Sequence, residues 1–244
     1  MAGHSKWAQI KHKKAITDAR RGAAWTKLAN AIAVAAKQGG GDPEKNFRLR
    51  LAIQKAKEDN VPSANIDRSI KRGLGELGGQ IEEIMYEGYG PGGVAIMVEA
   101  ATDNRNRTAS EVRSAFTKHN GSLGSPGSVS FQFEQKGQMF IKTKDLEQVS
   151  LDAIEAEADD VFEEEDGVRV YTSPTSFEAV KKSLDEKYEV TDAELVLAPK
   201  QTAKVNDAKT VGQAIKLLEA LDELEDVTAT HSNMDIAPEV MEQL

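Results

Sequence analysis

Four ammonium groups, those of Lys6, Lys11, Lys13 and Lys14, stand with the indole of Trp7 inside the first 14 residues. Lysines at this density neutralise phosphates and release their condensed counterions. An indole adds a π-face on which a nucleobase stacks for about 1–3 kcal/mol. The alternative is a solvated tail whose Trp7 plugs a helical core. Farther on, Arg68, Lys71 and Arg72 fall at i, i+3 and i+4, so their side chains leave one helix face, away from Ile66 and Ile70. Arg50 and Lys57 share one side of the preceding helical stretch with Gln54, and Arg48 and Lys55 an adjacent side. Arg20, Arg21 and Lys27 flank the first stretch. Several helices of one charge sign with few acids between them predict binding to nucleic-acid phosphates. Such a face says little about which bases are contacted.

The charge distribution along the chain supports this reading. Of 244 residues, 31 are Lys or Arg and 40 are Asp or Glu, for a net charge of -9. Residues 1–75 nevertheless hold 16 basic against six acidic residues, a net of +10, and the remainder holds 15 against 34, a net of -19. A polyanion-binding module joined to an acidic body is the expectation. Cysteine is absent, which excludes disulfides, thiolate zinc sites and a cysteine nucleophile. The most apolar helical stretch, 28–36, is closed by Lys27 and Lys37, far short of the roughly 20 residues of a membrane helix. No signal peptide opens the chain, and a cytoplasmic protein without a membrane partner is expected.

Other candidate sites are weaker. His4 and His12 lack a third metal ligand. Gly88, Gly90 and Gly93 match G-x-G-x-x-G, but Val94 to Val98 reads as a strand where a dinucleotide site needs a helix. Lys136, Gly137 and Phe140 match an RNA-binding strand signature only in part, with Gln138 and Thr143 at the other aromatic positions. The carboxylates of 159–166 lack calcium-loop spacing and read as a solvated turn, although a Mg²⁺-dependent nuclease is a rival reading. No nucleophile motif accompanies any histidine. The chain reads as a non-enzyme without cofactor or small-molecule substrate.

The elements that must position the basic residues follow from periodicity. Trp25, Leu28, Ala29, Ile32 and Ala36 form a helical stripe ended by Gly39 to Gly41. Asp42 and Pro43 are read as the cap and first turn of a second helix, with Leu49, Ala52, Ile53 and Ala56 as its stripe. Ser63 is read as the cap of a third. A hairpin is predicted from 84–89 and 94–101, then a helix with Thr108 and Glu111 as a capping box. Alternation at Val129, Phe131 and Phe133 predicts a strand. Strands at 139–141, 161–162, 168–171 and 190–197 with helices at 146–158 and 177–187 predict a β-α-β-β-α-β, ferredoxin-like unit. A helix at 211–224 and a strand at 227–230 close the series. The fold class is α+β: an N-terminal three-helix basic domain (1–78), an α+β domain (79–134 with 203–244), and an inserted acidic ferredoxin-like domain (135–202).

Residues 1–7 (MAGHSKW), 10–14 (IKHKK), 18–22 (DARRG), 39–43 (GGGDP) and 87–94 (EGYGPGGV) resemble the YebC/PmpR family. Residues 102–108 (TDNRNRT) and 127–129 (GSV) extend the similarity nearly end to end. The resemblance implies a three-domain α+β transcriptional regulator that binds promoter DNA. It also implies an alternative role in translation, with ribosomal RNA and the ribosome as partners and relief of stalling on proline-rich stretches.

Overall fold

Apolar residues at helical spacing need a partner face, and in the computed structural model they find one another within the first 75 residues. The structure describes residues 21–78, 81–237 and 240. Helix α1 (Arg21–Gly39), α2 (Phe47–Glu58) and α3 (Ser63–Gly73) enclose a core of Ile32, Ala35, Ala36, Leu49, Ala56, Val61 and Ile66. Trp25 is half-buried beside it, its Nε1 donating to the Asp59 carbonyl at 3.1 Å. Gly73 permits the closest approach of α1 and α3, since a Cβ there would lie 2.2 Å from the Ala33 carbonyl oxygen.

The helix starts differ from the sequence reading. Asp42 and Pro43 do not open α2; Asn46 does. Its carboxamide oxygen accepts from Leu49 N at 3.0 Å, and its Nδ2 donates to the carbonyls of Ala35 and Gly40, each at 2.8 Å. One buried amide therefore satisfies orphan groups at the end of α1 and the start of α2, which Asp42, lacking N–H donors, cannot do. Ser63 is the first residue of α3 rather than its cap; Pro62 precedes it without a side-chain cap bond.

Strands β1 (Glu82–Tyr89) and β2 (Ala95–Thr102) form the expected antiparallel hairpin, paired from Glu82 with Thr102 to Tyr89 with Ala95. A 3-10 turn, Pro91–Gly93, joins them, with Gly92 at a φ of 76° that a side chain adopts only with strain. Helix α4 (Arg105–Lys118) is capped by Asn104, which accepts from Arg107 N at 3.1 Å, so Thr108 lies inside the helix and forms no capping box. β3 (Ser122–Leu123) follows, then a 3-10 turn at Ser130–Gln132 where alternation predicted strand. Later come β8 (Ala203–Val205), α7 (Ala208–Asp222), which Asp207 caps, β9 (Val227–Ser232) and β10 (Met234–Ile236). The main sheet runs β3-β1-β2-β9, and β8 pairs with β10 in parallel. Ile96 and Val98 on one sheet face pack with Val112 and Phe116 of α4 and Leu217, Leu218 and Leu221 of α7. Ala101, on the other face, meets Ala33 and Val34 of α1.

β4 (Phe133–Lys142), α5 (Leu146–Glu155), β5 (Asp160–Glu164), β6 (Gly167–Thr172), α6 (Phe177–Asp185) and β7 (Val190–Pro199) give the β-α-β-β-α-β succession. The strand order β5-β6-β4-β7 places the first and third strands centrally, the ferredoxin-like arrangement. α5 stops at Glu155, before the expected Ala158, because Glu157 takes a φ of 67°. By contact density the chain forms two compact units, Met1–Phe133 with Pro199–Leu244, and Glu134–Ala198.

Candidate nucleic-acid interface

Burial separates the predicted contact residues into two sets. Lys6, Trp7, Lys11, Lys13, Lys14 and Arg20 lie outside the described residues, as does the side chain of Arg21. Lys55 and Lys57 on α2 and Arg68 and Lys71 on α3 are exposed. Arg68 and Lys71, three residues apart, leave the same side of α3, and Lys71 also stands in its last turn, where the helix dipole favours a cation.

The remaining described arginines are drawn inward. Arg48 donates from Nη1 to Gln38 Oε1 at 2.5 Å and pairs through Nη2 with Glu83 of β1 at 3.4 Å; Gln38 also bonds Glu83. Arg50 donates to the Pro43 carbonyl at 2.8 Å and lies over the Phe47 ring, 5.3 Å from its centroid. Arg72 donates to Asn30 Oδ1 at 2.9 Å. Lys27 is half-buried. A guanidinium held by the protein makes a poor mobile phosphate contact, so Arg48 and Arg50, each with two partners, and Arg72, with one, act as ties within the fold. The exposed cations are the ones whose charge reaches solvent.

Three polar residues that the sequence reading passed over organise the neighbouring sheet. Asn30, 2% exposed, interrupts the apolar run of α1 and donates to the Ala101 carbonyl at 3.3 Å. Glu87 is buried in β1, where its carboxylate accepts from Gly127 N at 2.7 Å, Val129 N at 2.8 Å and Ser130 N at 2.9 Å. Burial pushes its carboxyl pKa up, and these backbone donors outweigh that, leaving it below the usual glutamate value. Asp226 accepts from Thr108 at 2.7 Å, Arg107 at 2.8 Å and Thr102 at 3.1 Å. Its carboxyl, raised by burial, is likewise brought below the usual aspartate value by the Thr108, Arg107 and Thr102 bonds. A polar residue inside an apolar helical run was a readable signal for Asn30. Glu87 and Asp226 gave none, because their partners lie at least 40 and 118 residues away.

The weaker sites resolve into structure. The Gly88 to Gly93 segment leads into β2, with no helix N-terminus behind it. Phe140 is buried beneath Arg169, whose Cζ lies 5.1 Å from the ring centroid, so it presents no stacking surface. Asp159 and Asp160 both meet the Lys136 ammonium, at 3.5 and 3.4 Å, while Glu164 pairs with Arg169 at 2.6 Å. His231 pairs with Glu99 at 2.9 Å. Among the described residues no group of three His, Cys, Asp or Glu is arranged to hold a metal ion, and no helix is long and apolar enough to cross a membrane.

Residues 5–76 match the family described as TACO1/YebC protein N-terminal domain, and residues 81–234 that described as TACO1/YebC second and third domain. A probable transcriptional regulatory protein of Persephonella marina is 52% identical over 249 residues, covering 100% of both chains. Another from Dictyoglomus thermophilum is 50% identical over 249 residues with the same coverage. The crystal structure of a conserved hypothetical protein from Aquifex aeolicus superposes with a TM-score of 0.87 at 49% identity, over 96% of this chain and 98% of that one. With both the basic helices and the α+β portion matched, the chain belongs to the TACO1/YebC family.

Proposed function

We propose that this protein is a non-enzymatic, DNA-binding transcriptional regulator that grips duplex phosphates through a basic helical domain, residues 1–78. The observation that carries this reading is the exposed pair Arg68 and Lys71 on one side of α3, within residues 1–75 of net charge +10. The names of the relatives, probable transcriptional regulatory proteins, support it. In this scheme the acidic remainder, an α+β domain of 79–134 with 203–244 and an inserted domain of 135–202, orients the basic module or recruits a partner in the cytoplasm.

Recognition here is electrostatic. If Lys11, Lys13, Lys14, Arg68 and Lys71 each neutralise one phosphate, log K against log salt falls with a slope of about -4.5, at 0.9 per phosphate. Counting Arg72 as well raises the magnitude to about 5, but its bond to Asn30 removes it from the set. Titrating a labelled duplex at several salt concentrations tests this, and a flat response overturns it.

A second reading is favoured by the same face, because exposed lysine and arginine address backbone charge on RNA as readily as on DNA. The protein would then be a ribosome-associated translation factor that relieves stalling on proline-rich stretches, with ribosomal RNA as its ligand. Sedimentation with ribosomes, set against recovery on crosslinked chromosomal DNA, separates the two.

A further inference from the structure

Phe131 is 66% exposed, whereas Val129 and Phe133 on either side of it are buried. In a strand all three would share one face; the 3-10 turn at Ser130–Gln132 rotates the middle ring outward. The turn is held from several directions. Glu87 grips the backbone N–H groups of Gly127, Val129 and Ser130 from beneath. The Gln132 carbonyl accepts from Lys200 N at 2.8 Å, and its side-chain oxygen accepts from Asn233 Nδ2 at 3.1 Å. Tyr89, also exposed, donates from its hydroxyl to the Ser128 carbonyl at 3.0 Å and receives the Gln132 amide at 3.4 Å. A loop free to move would fold an apolar ring back onto the protein; this one fixes the ring in water.

The surroundings indicate what the ring is displayed to. The Lys200 ammonium donates to the Phe131 carbonyl at 3.2 Å, placing a cation at the base of the ring. The Glu87 carboxylate is occupied by three backbone donors. The preceding loop, residues 124–128, is Gly, Ser and Pro, so it adds no large apolar side chain beside Phe131. An exposed π-face with an adjacent ammonium suits an unpaired nucleobase stacked on the ring, with its phosphate near the lysine.

We infer that Phe131, with Lys200, forms a stacking site for an unpaired base of single-stranded nucleic acid, separate from the basic helices. The inference rests on the proposed nucleic-acid binding and adds a preference for unpaired strands. The test uses full-length protein and fluorescein-labelled mixed-sequence probes: single-stranded RNA, single-stranded DNA and duplex DNA. Phe131→Ala is expected to weaken single-strand binding about 5- to 150-fold, the loss of one stacked base, with the salt slope and duplex affinity unchanged. Phe131→Trp is expected to restore it, and the tighter of the two single strands identifies the natural source. Because the ring is exposed, the thermal midpoint of Phe131→Ala should match that of the wild type. Unchanged single-strand affinity in Phe131→Ala overturns the inference while leaving the duplex reading intact. Equal losses on duplex and single strand, or a loss confined to ribosome sedimentation, also overturn it. Wild-type protein that binds no probe at all overturns both readings.

Discussion

Arg72 on α3 and Asn30 on α1 are joined by a 2.9 Å hydrogen bond, and Asn30 in turn donates to the Ala101 carbonyl of β2. A residue that sequence spacing assigns to phosphate contact is thereby a tie between two helices and the sheet. Asn30→Ala leaves the Ala101 carbonyl without its side-chain donor and frees Arg72. It is expected to lower stability by about 1–3 kcal/mol, measured by urea unfolding. The salt slope of nucleic-acid binding should stay at the wild-type value, because no phosphate contact is removed.

Arg68 and Lys71 should behave in the opposite way. Both are exposed, so Arg68→Ala and Lys71→Ala are expected to leave unfolding stability within about 0.5 kcal/mol. Each should reduce the magnitude of the salt slope by about 0.9, and the double variant by about 1.8. Binding titrations at several salt concentrations read this directly. A slope unaltered by the double variant would remove α3 from the interface.

Gly73 marks where α3 touches α1. Adding a Cβ 2.2 Å from the Ala33 carbonyl forces backbone apart, because no flexible side chain stands there to yield. Gly73→Ala is expected to destabilise the protein by about 1–3 kcal/mol despite its better helix propensity. A gain in thermal midpoint would show that the helices separate without strain.

The carboxylate of Glu87 gives the loop ahead of Phe131 a pH dependence. Its folded-state pKa lies below the unfolded one, so its contribution is complete above about pH 4.3 and disappears as pH falls through the folded value. Amide exchange at Gly127, Val129 and Ser130 should therefore quicken in acid, beyond its intrinsic pH trend, before the core strands open. Glu87→Gln, which turns one acceptor into a donor facing backbone N–H groups, is expected to cost about 1–3 kcal/mol near neutral pH. That difference from the wild type should shrink in acid.

The periodic parts of this fold were legible in the sequence. The stripe of α1, the hairpin around Gly88 to Gly93 and the β-α-β-β-α-β succession each depend on local spacing, and each formed. Helix starts were less legible. Asp42 and Ser63 are good cap residues by type, but Asn46 prevailed at α2 because a carboxamide both donates and accepts, and two helix ends needed both. For the proposed interface, residue type and spacing marked the basic faces yet could not tell an exposed cation from one drawn inward. Arg48 and Lys55 read alike in sequence. Only the fold brings Glu83, 35 residues away, to the first of them. Phe131 was hidden by alternation with Val129 and Phe133, because the turn that ejects it depends on a carboxylate 43 residues earlier.

The backbone N–H of Lys200 reaches the carbonyl of Gln132 at 2.8 Å, so the chain leaves for the acidic insert and returns from it at neighbouring points. An appendage rooted on such a narrow stem can be trimmed, lengthened or exchanged over evolutionary time without rethreading its host.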